Sequence, residues 1–271
     1  MPSNFTPTVL TIAGSDTYGG AGIQVDAKTI HALGGYAFSV ISAITAQNSL
    51  GVNDVYITPK NQFKAQLESI LDDVKVDAIK IGMLGSYENV KIVIEIIKKY
   101  HLKNIILDTV LVSSSGKVLL EKNAIELMKN EIFPLVDLIT PNIPEINVFL
   151  EADYQGEISE IEEIAQKFFS FKTKALLIKG GHSVDTFNAI DYLSIKDSLL
   201  VSFSKQRVST SHTHGTGCVL SSAIATHLAL GYSLAKSVEL SKNFLTTKLQ
   251  NADDILFEYH QKKEGRKEPI L

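Results

Sequence analysis

"TVLTIAGSDTYGGAGIQVDAKTIHALGGYAFSVISAITA", residues 8–46, sets the architecture. Two short apolar runs, 8–14 and 36–46, have the composition of strands buried on both faces. Between them Ile23, Ala27, Ile30 and Leu33 recur near a 3–4 spacing, and Gly34-Gly35 gives a helix stop. Strand, helix, strand in that order predicts a right-handed crossover and a parallel sheet. The rhythm continues along the chain. "DAIKIGM" (77–83), "KNIILDT" (103–109), "VDLITPN" (136–142) and "KALLIKGG" (174–181) read as further strands. "NQFKAQLESILDDV", "SYENVKIVIEIIKKY" and "SEIEEIAQKFFSF" read as amphipathic helices between them. Near 188–203 the pattern changes: "NAIDYLSI" and "SLLVSFS", joined by Lys196-Asp197-Ser198, predict an antiparallel hairpin on the sheet edge. Two helices are expected after it, over about 217–230 and 233–250. No linker interrupts the pattern, so residues 1–271 are expected to form a single α/β domain.

Composition narrows the function classes. The chain has 271 residues, is 45% hydrophobic and 21% charged, and carries a net charge of −4. Charges are mixed, without the basic excess that nucleic-acid binding wants. One cysteine cannot form an internal disulfide. "MPSNFTP" shows no basic region followed by an apolar core, so no signal peptide is expected. No apolar stretch reaches the roughly 20 residues of a membrane span. The expected setting is cytoplasmic, with no membrane and no nucleic-acid partner. The locally basic tail "QKKEGRKEP" reads as a solvated end.

Strand ends carry the chemistry. In open parallel sheets, ligands bind beyond the carboxyl ends of the strands. Here those ends read Gly14-Ser15-Asp16, Gln47-Asn48, Asp108-Thr109, Pro141-Asn142 and Lys179-Gly180-Gly181. On one rim they would suit a polar, phosphorylated ligand. "GSDTYGGAG" (14–22) lacks the third glycine of a dinucleotide fingerprint and the lysine of a P-loop. Alone it reads equally as a glycine turn leading into a helix. "SSSGKV" (113–118) also fails as a P-loop.

"HGTGCVLSSAIA" (214–225) is more specific. Gly215-Thr216-Gly217 before a helix can turn successive N–H groups toward one anion. The same field predicts a lowered pKa for Cys218, from about 8.5 in a free thiol. A small buried cysteine packed under a helix is the ordinary alternative. Asn142 and Glu145 straddle Pro144 and read either as a helix cap or, with Asp108, as a place for hydrated Mg²⁺. Gln47 has a donor beside an acceptor, like the edge of an aminopyrimidine; a loop glutamine is the alternative. Met83 could lie flat against a ring or simply fill core.

These stretches, with "AITAQNS", "DAIKIGML", "LDTVLVSSSG", "LITPNIPE" and "LLIKGGH", occur in order over about residues 8–250. Together they resemble the hydroxymethylpyrimidine/phosphomethylpyrimidine kinases of thiamine biosynthesis. The resemblance implies a ribokinase-like three-layer α/β/α sandwich with a mostly parallel sheet and a small edge hairpin. It implies ATP-dependent phosphorylation of 4-amino-5-hydroxymethyl-2-methylpyrimidine, then of its monophosphate. Carried over by position, Cys218 is the base and Gly215, Thr216 and Gly217 form the anion hole. Gln47 and Met83 hold the small-molecule pyrimidine, with Gly14 and Asp26 beside them. Asp108, Asn142 and Glu145 organise Mg²⁺ and phosphate, with Glu145 and Asp108 on the metal. Lys179 and Thr213 face the ATP. A homodimer is implied as well. The family commonly reads Asp-Pro-Val-Met, and some members Asp-Thr, where this chain has Asp108-Thr109-Val110-Leu111; Asp108 is kept, and the resemblance leaves the geometry of the loop after it open.

A pyridoxal kinase of the same fold is the rival. Gln47 favours the pyrimidine, since pyridoxal lacks the aminopyrimidine edge. A non-catalytic vitamin-binding module would need a broken base or metal position, and Cys218, Asp108, Glu145 and Lys179 are all present. Residues 202–214 are expected to form a cover over the site.

Overall fold

Nine strands form one sheet whose order places every candidate strand end side by side. The computed structural model describes residues 6–48, 50–112, 116, 118–182, 187–198, 200–210 and 213–252. The strands are β1 (Thr8–Asp16), β2 (Tyr36–Asn48), β3 (Gly51–Ile57), β4 (Ala78–Ile81), β5 (Ile105–Leu107), β6 (Leu138–Ile139), β7 (Ala175–Ile178), β8 (Asn188–Ile195) and β9 (Val201–Gln206). Their spatial order is β3-β2-β1-β4-β5-β6-β7-β8-β9. From β2 through β7 all pairings are parallel, and β8 and β9 add the predicted antiparallel edge. The helices are α1 (Gly22–Ala32), α2 (Lys60–Leu71), α3 (Tyr87–Tyr100), α4 (Lys122–Leu127), α5 (Ile143–Leu150), α6 (Ile158–Ser170), α7 (Thr216–Ala229) and α8 (Leu234–Gln250).

Local chemistry accounts for the element ends. Ser86 accepts from the Asn89 N–H and caps α3, and His101 closes that helix in the left-handed region at φ 51°. Asn142 and Glu145 exchange a capping box at the start of α5. The cap predicted from sequence therefore exists, and it also fixes Glu145 in space. On one face of the sheet, α2 to α6 bury Phe63, Leu67, Ile96, Phe149 and Phe168 against Leu10, Ile12, Ile79 and Ile81. On the other, α7 and α8 cover Val9, Ala78, Ile106 and Leu177 with Leu220, Ile224 and Val238. Strands buried on both faces explain why 175–178 is apolar without alternation and why 78–81 is apolar but for Lys80, which is buried as well.

Two expectations change. The chain after β2 does not pass straight to a helix: β3 returns antiparallel along β2. Its residues "GVNDVYI" carry polar side chains at exposed positions, which hid the strand from an apolar-run reading. The second concerns the cover. Residues 201–206 belong to β9, and of the described remainder of that segment Arg207, Val208, Thr210, Thr213 and His214 line the cleft as irregular chain. Residues 211–212, part of the "SSSGKV" stretch and the basic tail lie outside the described residues.

One buried group makes the stability depend on pH. His227 on α7 is 8% exposed, packs its ring edge against Tyr232, and has no hydrogen-bond partner for either ring nitrogen. Burial holds its pKa below the usual histidine range. The unfolded chain therefore takes up the proton first. The stability due to the neutral ring is complete above the unfolded pKa of about 6.5 and is lost as pH falls toward the folded value. Melting temperatures between pH 7.5 and 5 should fall more steeply for the wild type than for His227→Phe. Parallel curves would contradict this origin.

Candidate functional site

The carboxyl ends of β1, β2, β4, β5, β6 and β7 open into one cleft of about 690 Å³. Gly14, Gln47, Met83, Asp108, Asn142, Glu145, Lys179, Thr213, Gly215, Thr216, Gly217 and Cys218 all line it. A shallower depression beside Lys129 and Glu151 contains none of them.

The floor is built from buried charge. Lys179, at the end of β7, lies 2.9 Å from Asp108 Oδ1 and 3.9 Å from Glu145 Oε2. Lys80 on β4 lies 2.8 Å from Asp26 Oδ2, and both side chains are fully buried. Burial works against each ammonium, but the facing carboxylates outweigh it and hold both lysines charged. Burial raises the pKa of Asp108 as well; Lys179 and Lys80 overcome it and keep the carboxyl below its usual range. Glu145 is different. Burial first, and the Asp108 charge second, push it up to about 7 against the pull of Lys179.

Thr109 ties the loop after β5 to Glu145. Its hydroxyl donates to Glu145 Oε2 at 2.9 Å, beside the Asn142 N–H at 2.8 Å. A proline at 109 would supply no such donor. The backbone of β6 reaches β7 through the Lys179 N–H, which donates to the Pro141 carbonyl, so Asp108, Asn142 and Lys179 share one rigid frame.

The far wall is the start of α7. Gly217 and Cys218 stand in its first turn, where N–H groups have no helical carbonyl to meet. Gly215 precedes them at φ 79°, and a Cβ there would sit 1.9 Å from the Gly20 carbonyl oxygen. This close approach locks the 213–217 loop against the 16–22 loop.

Cys218 departs from expectation. The helix N-terminus was expected to lower its pKa. Instead burial pushes the thiol up to about 11; Lys80 and the Gly22 N–H pull the other way, while Asp26 and Asp108 add to the rise. At neutral pH the resting group is a thiol. Asp26 is also corrected. It does not line the cleft beside Gly14 but sits beneath it, fully buried on Lys80 Nζ and Thr11 Oγ1. Its Oδ1 has no partner.

Two residues were not identified as site residues from sequence. Lys80 reaches the cleft floor, and His214 lines the wall next to Gln47 and to Asp16, which the sequence had placed on the rim. The one signal for Lys80 was a lysine inside the apolar strand "DAIKIGM". Among the described residues no cluster of three metal-ligating side chains occurs. Asp108 and Glu145 alone suit a cation that keeps most of its waters and takes one or two carboxylates.

Substituting Gly215→Ala should lower the melting temperature well beyond Gly34→Ala, a second positive-φ glycine (83°) with open space where its Cβ would go. Strain at one such site costs on the order of 1–3 kcal/mol, and only Gly215 adds the backbone collision. Equal losses would mean the two loops do not depend on this contact.

Comparison with known proteins agrees over most of the chain. The family described as phosphomethylpyrimidine kinase matches residues 16–262. The chain is 41% identical over 246 residues to the hydroxymethylpyrimidine/phosphomethylpyrimidine kinase of Salmonella typhimurium, covering 91% of this chain and 92% of that protein. It is 38% identical over 250 residues to a probable chloroplastic thiamine biosynthetic bifunctional enzyme of Oryza sativa, of which it spans 45%. Among solved structures, phosphomethylpyrimidine kinase from Clostridium difficile superposes with a TM-score of 0.78 at 38% identity, over 89% of this chain and 99% of that one. Pyridoxal kinase from Staphylococcus aureus with AMP-PCP and pyridoxal gives 0.84 at 28% identity, over 93% and 92%.

Proposed function

This chain belongs to the phosphomethylpyrimidine kinase family, and we propose from that premise the reaction its cleft performs. It is an ATP-dependent kinase that phosphorylates the hydroxymethyl group of 4-amino-5-hydroxymethyl-2-methylpyrimidine and then the resulting monophosphate. The observation that carries the reading is the convergence of Gln47, Lys179, Asp108 and the 215–218 turn on one cleft. The pyridoxal kinases share the fold, but the relatives of higher identity bear the pyrimidine name.

Phosphoryl transfer needs positioning and charge neutralisation more than covalent chemistry. We assign Gln47 and Met83 to the pyrimidine ring, which places its hydroxymethyl oxygen toward Cys218. The Thr216 N–H already donates to the Thr213 carbonyl at 3.3 Å, so we assign the Gly217 and Cys218 N–H groups, with the Gly215 turn that orients them, to the transferred phosphate, and Lys179 to its oxygens. Asn142 and Thr213 complete the nucleotide side. Asp108 and Glu145 would hold Mg²⁺, whose charge offsets that of the phosphates. The Cys218 thiolate accepts the hydroxyl proton late in the first transfer. Because the thiolate is a minor form at neutral pH, the base works from a small fraction, supported by the Lys80 ammonium. In the second transfer the nucleophile is a phosphate monoester with a second pKa of about 6, already ionised. A base is hardly needed there. We place the enzyme in the cytoplasm as a homodimer; one cysteine, and no helix among the described residues long and apolar enough to cross a membrane, are compatible with that.

Mass spectrometry of products tests the reading. With ATP, Mg²⁺ and the hydroxymethylpyrimidine, the wild type should accumulate monophosphate and then diphosphate, with slow or no phosphorylation of pyridoxal. Cys218→Ala should slow the first transfer by about 10²-fold or more, the range for loss of a general base, and the second by far less. Pyridoxal phosphate as the sole product would overturn the substrate; equal losses in both steps would overturn the role of Cys218.

A further inference from the structure

His214 Nε2 is held between two groups that make opposite demands on it. It lies 3.1 Å from Asp16 Oδ2 and 3.0 Å from Gln47 Nε2. A ring nitrogen carries either a proton or a lone pair. With a lone pair it could accept from the Gln47 amide but would face the Asp16 carboxylate unpaired. With a proton it donates to Asp16, and a Gln47 N–H cannot point at it.

Asp16 decides between them. Its carboxyl accepts from the Tyr18 N–H at 2.8 Å, the Ala21 N–H at 2.9 Å and the Gly20 N–H at 3.1 Å. Burial raises its pKa, but the hydrogen bonds it accepts outweigh that and keep it below the usual range; the three backbone N–H groups can only donate, so the carboxyl is held as an acceptor whatever the state of His214. An ionised carboxylate has no proton to give, so His214 Nε2 must be the donor.

The amide of Gln47 then has one consistent orientation. Its oxygen faces His214 and its nitrogen faces Thr45, a half-turn that leaves the shape of the side chain unchanged. Thr45 agrees with this assignment. Its hydroxyl donates its single proton to the Ser15 carbonyl at 3.1 Å, so toward Gln47, 3.4 Å away, it can only accept. The Gln47 backbone is fixed too, since its N–H and carbonyl both meet the Thr17 hydroxyl.

We infer that Asp16 and His214 form a positioning pair that sets the donor–acceptor polarity of the Gln47 amide, and so determines which edge of a ring the cleft accepts. His214 is a positioning residue: it acts on the substrate through Gln47. The inference rests on the proposed function, in which Gln47 meets the pyrimidine. With His214 in place the carbonyl and the N–H cannot exchange, and each polar atom of the ring edge meets one defined partner. Without it the amide turns freely, and part of the population presents the wrong polarity.

Two measurements on the full chain test this. Nitrogen-15 spectra of histidine-labelled protein, with the His214 signal assigned by its loss in His214→Phe, should show a protonated Nε2. An unprotonated Nε2 would overturn the inference. In steady-state kinetics, His214→Phe should raise KM for the hydroxymethylpyrimidine about tenfold, the effect of one lost hydrogen-bonded restraint. Its kcat should change by less than about threefold, and KM for ATP should stay the same. His214→Gln, whose terminal amide can reach the same point and donate to Asp16, should restore most of the pyrimidine KM. An unchanged KM in His214→Phe, or equal damage in both variants, would overturn the positioning role. If the wild type fails to phosphorylate the pyrimidine at all, the proposed function fails, and the Nε2 signal still decides the state of the pair.

Discussion

Two lysines held inside the carboxyl end of the sheet by two aspartates organise the rest of this molecule. Lys80 with Asp26, and Lys179 with Asp108, take four charges out of water beneath one helix N-terminus. Buried pairs of this kind contribute little net stability, yet removing one partner costs about 3–5 kcal/mol. Their consequence is local. They act on the groups around them: the lysines keep Asp108 ionised, while burial, with Asp108 adding to it, leaves Glu145 with a pKa of about 7 and Cys218 as a thiol against the opposing pull of Lys179 and Lys80.

The arrangement also explains why the cleft has two chemically different walls. Carboxylates and Lys179 lie on the β5–β7 side, where we propose that phosphate and cation bind. Gln47, Met83 and His214 lie on the opposite side, to which we assign the ring of the substrate. The start of α7 joins them, and Gly215 makes the joint tight by admitting the Gly20 carbonyl. The Thr109 hydroxyl ties the loop after β5 to Glu145.

Much of this was legible in the sequence. Apolar runs with polar ends gave the parallel sheet and its rim, because a strand buried on both faces leaves only its ends for chemistry. The helix pattern and the 188–203 hairpin were equally readable, since both depend on neighbours close in the chain. What depended on distant neighbours was not. Lys80 looked like a single interruption in a strand until Asp26, 54 residues earlier, was brought beneath it. The Asp16–His214 contact joins residues 198 apart. Strand β3 was missed because its exposed polar side chains mask the pairing that makes it a strand. The sign of the Cys218 shift was misread for a related reason. A helix N-terminus is visible in sequence; the depth of the thiol and the two carboxylates around it are not.

Cys218 rests protonated above buried charge, and we propose that it supplies the base only as a minor thiolate. The most direct measurement is the rate of alkylation of Cys218 as a function of pH, read by whole-protein mass, which is unambiguous because the chain has one cysteine. The structure predicts a rate that is still climbing above pH 9, toward a midpoint of about 11. A plateau reached by pH 7–8 would show a thiolate already formed at rest and would contradict the account.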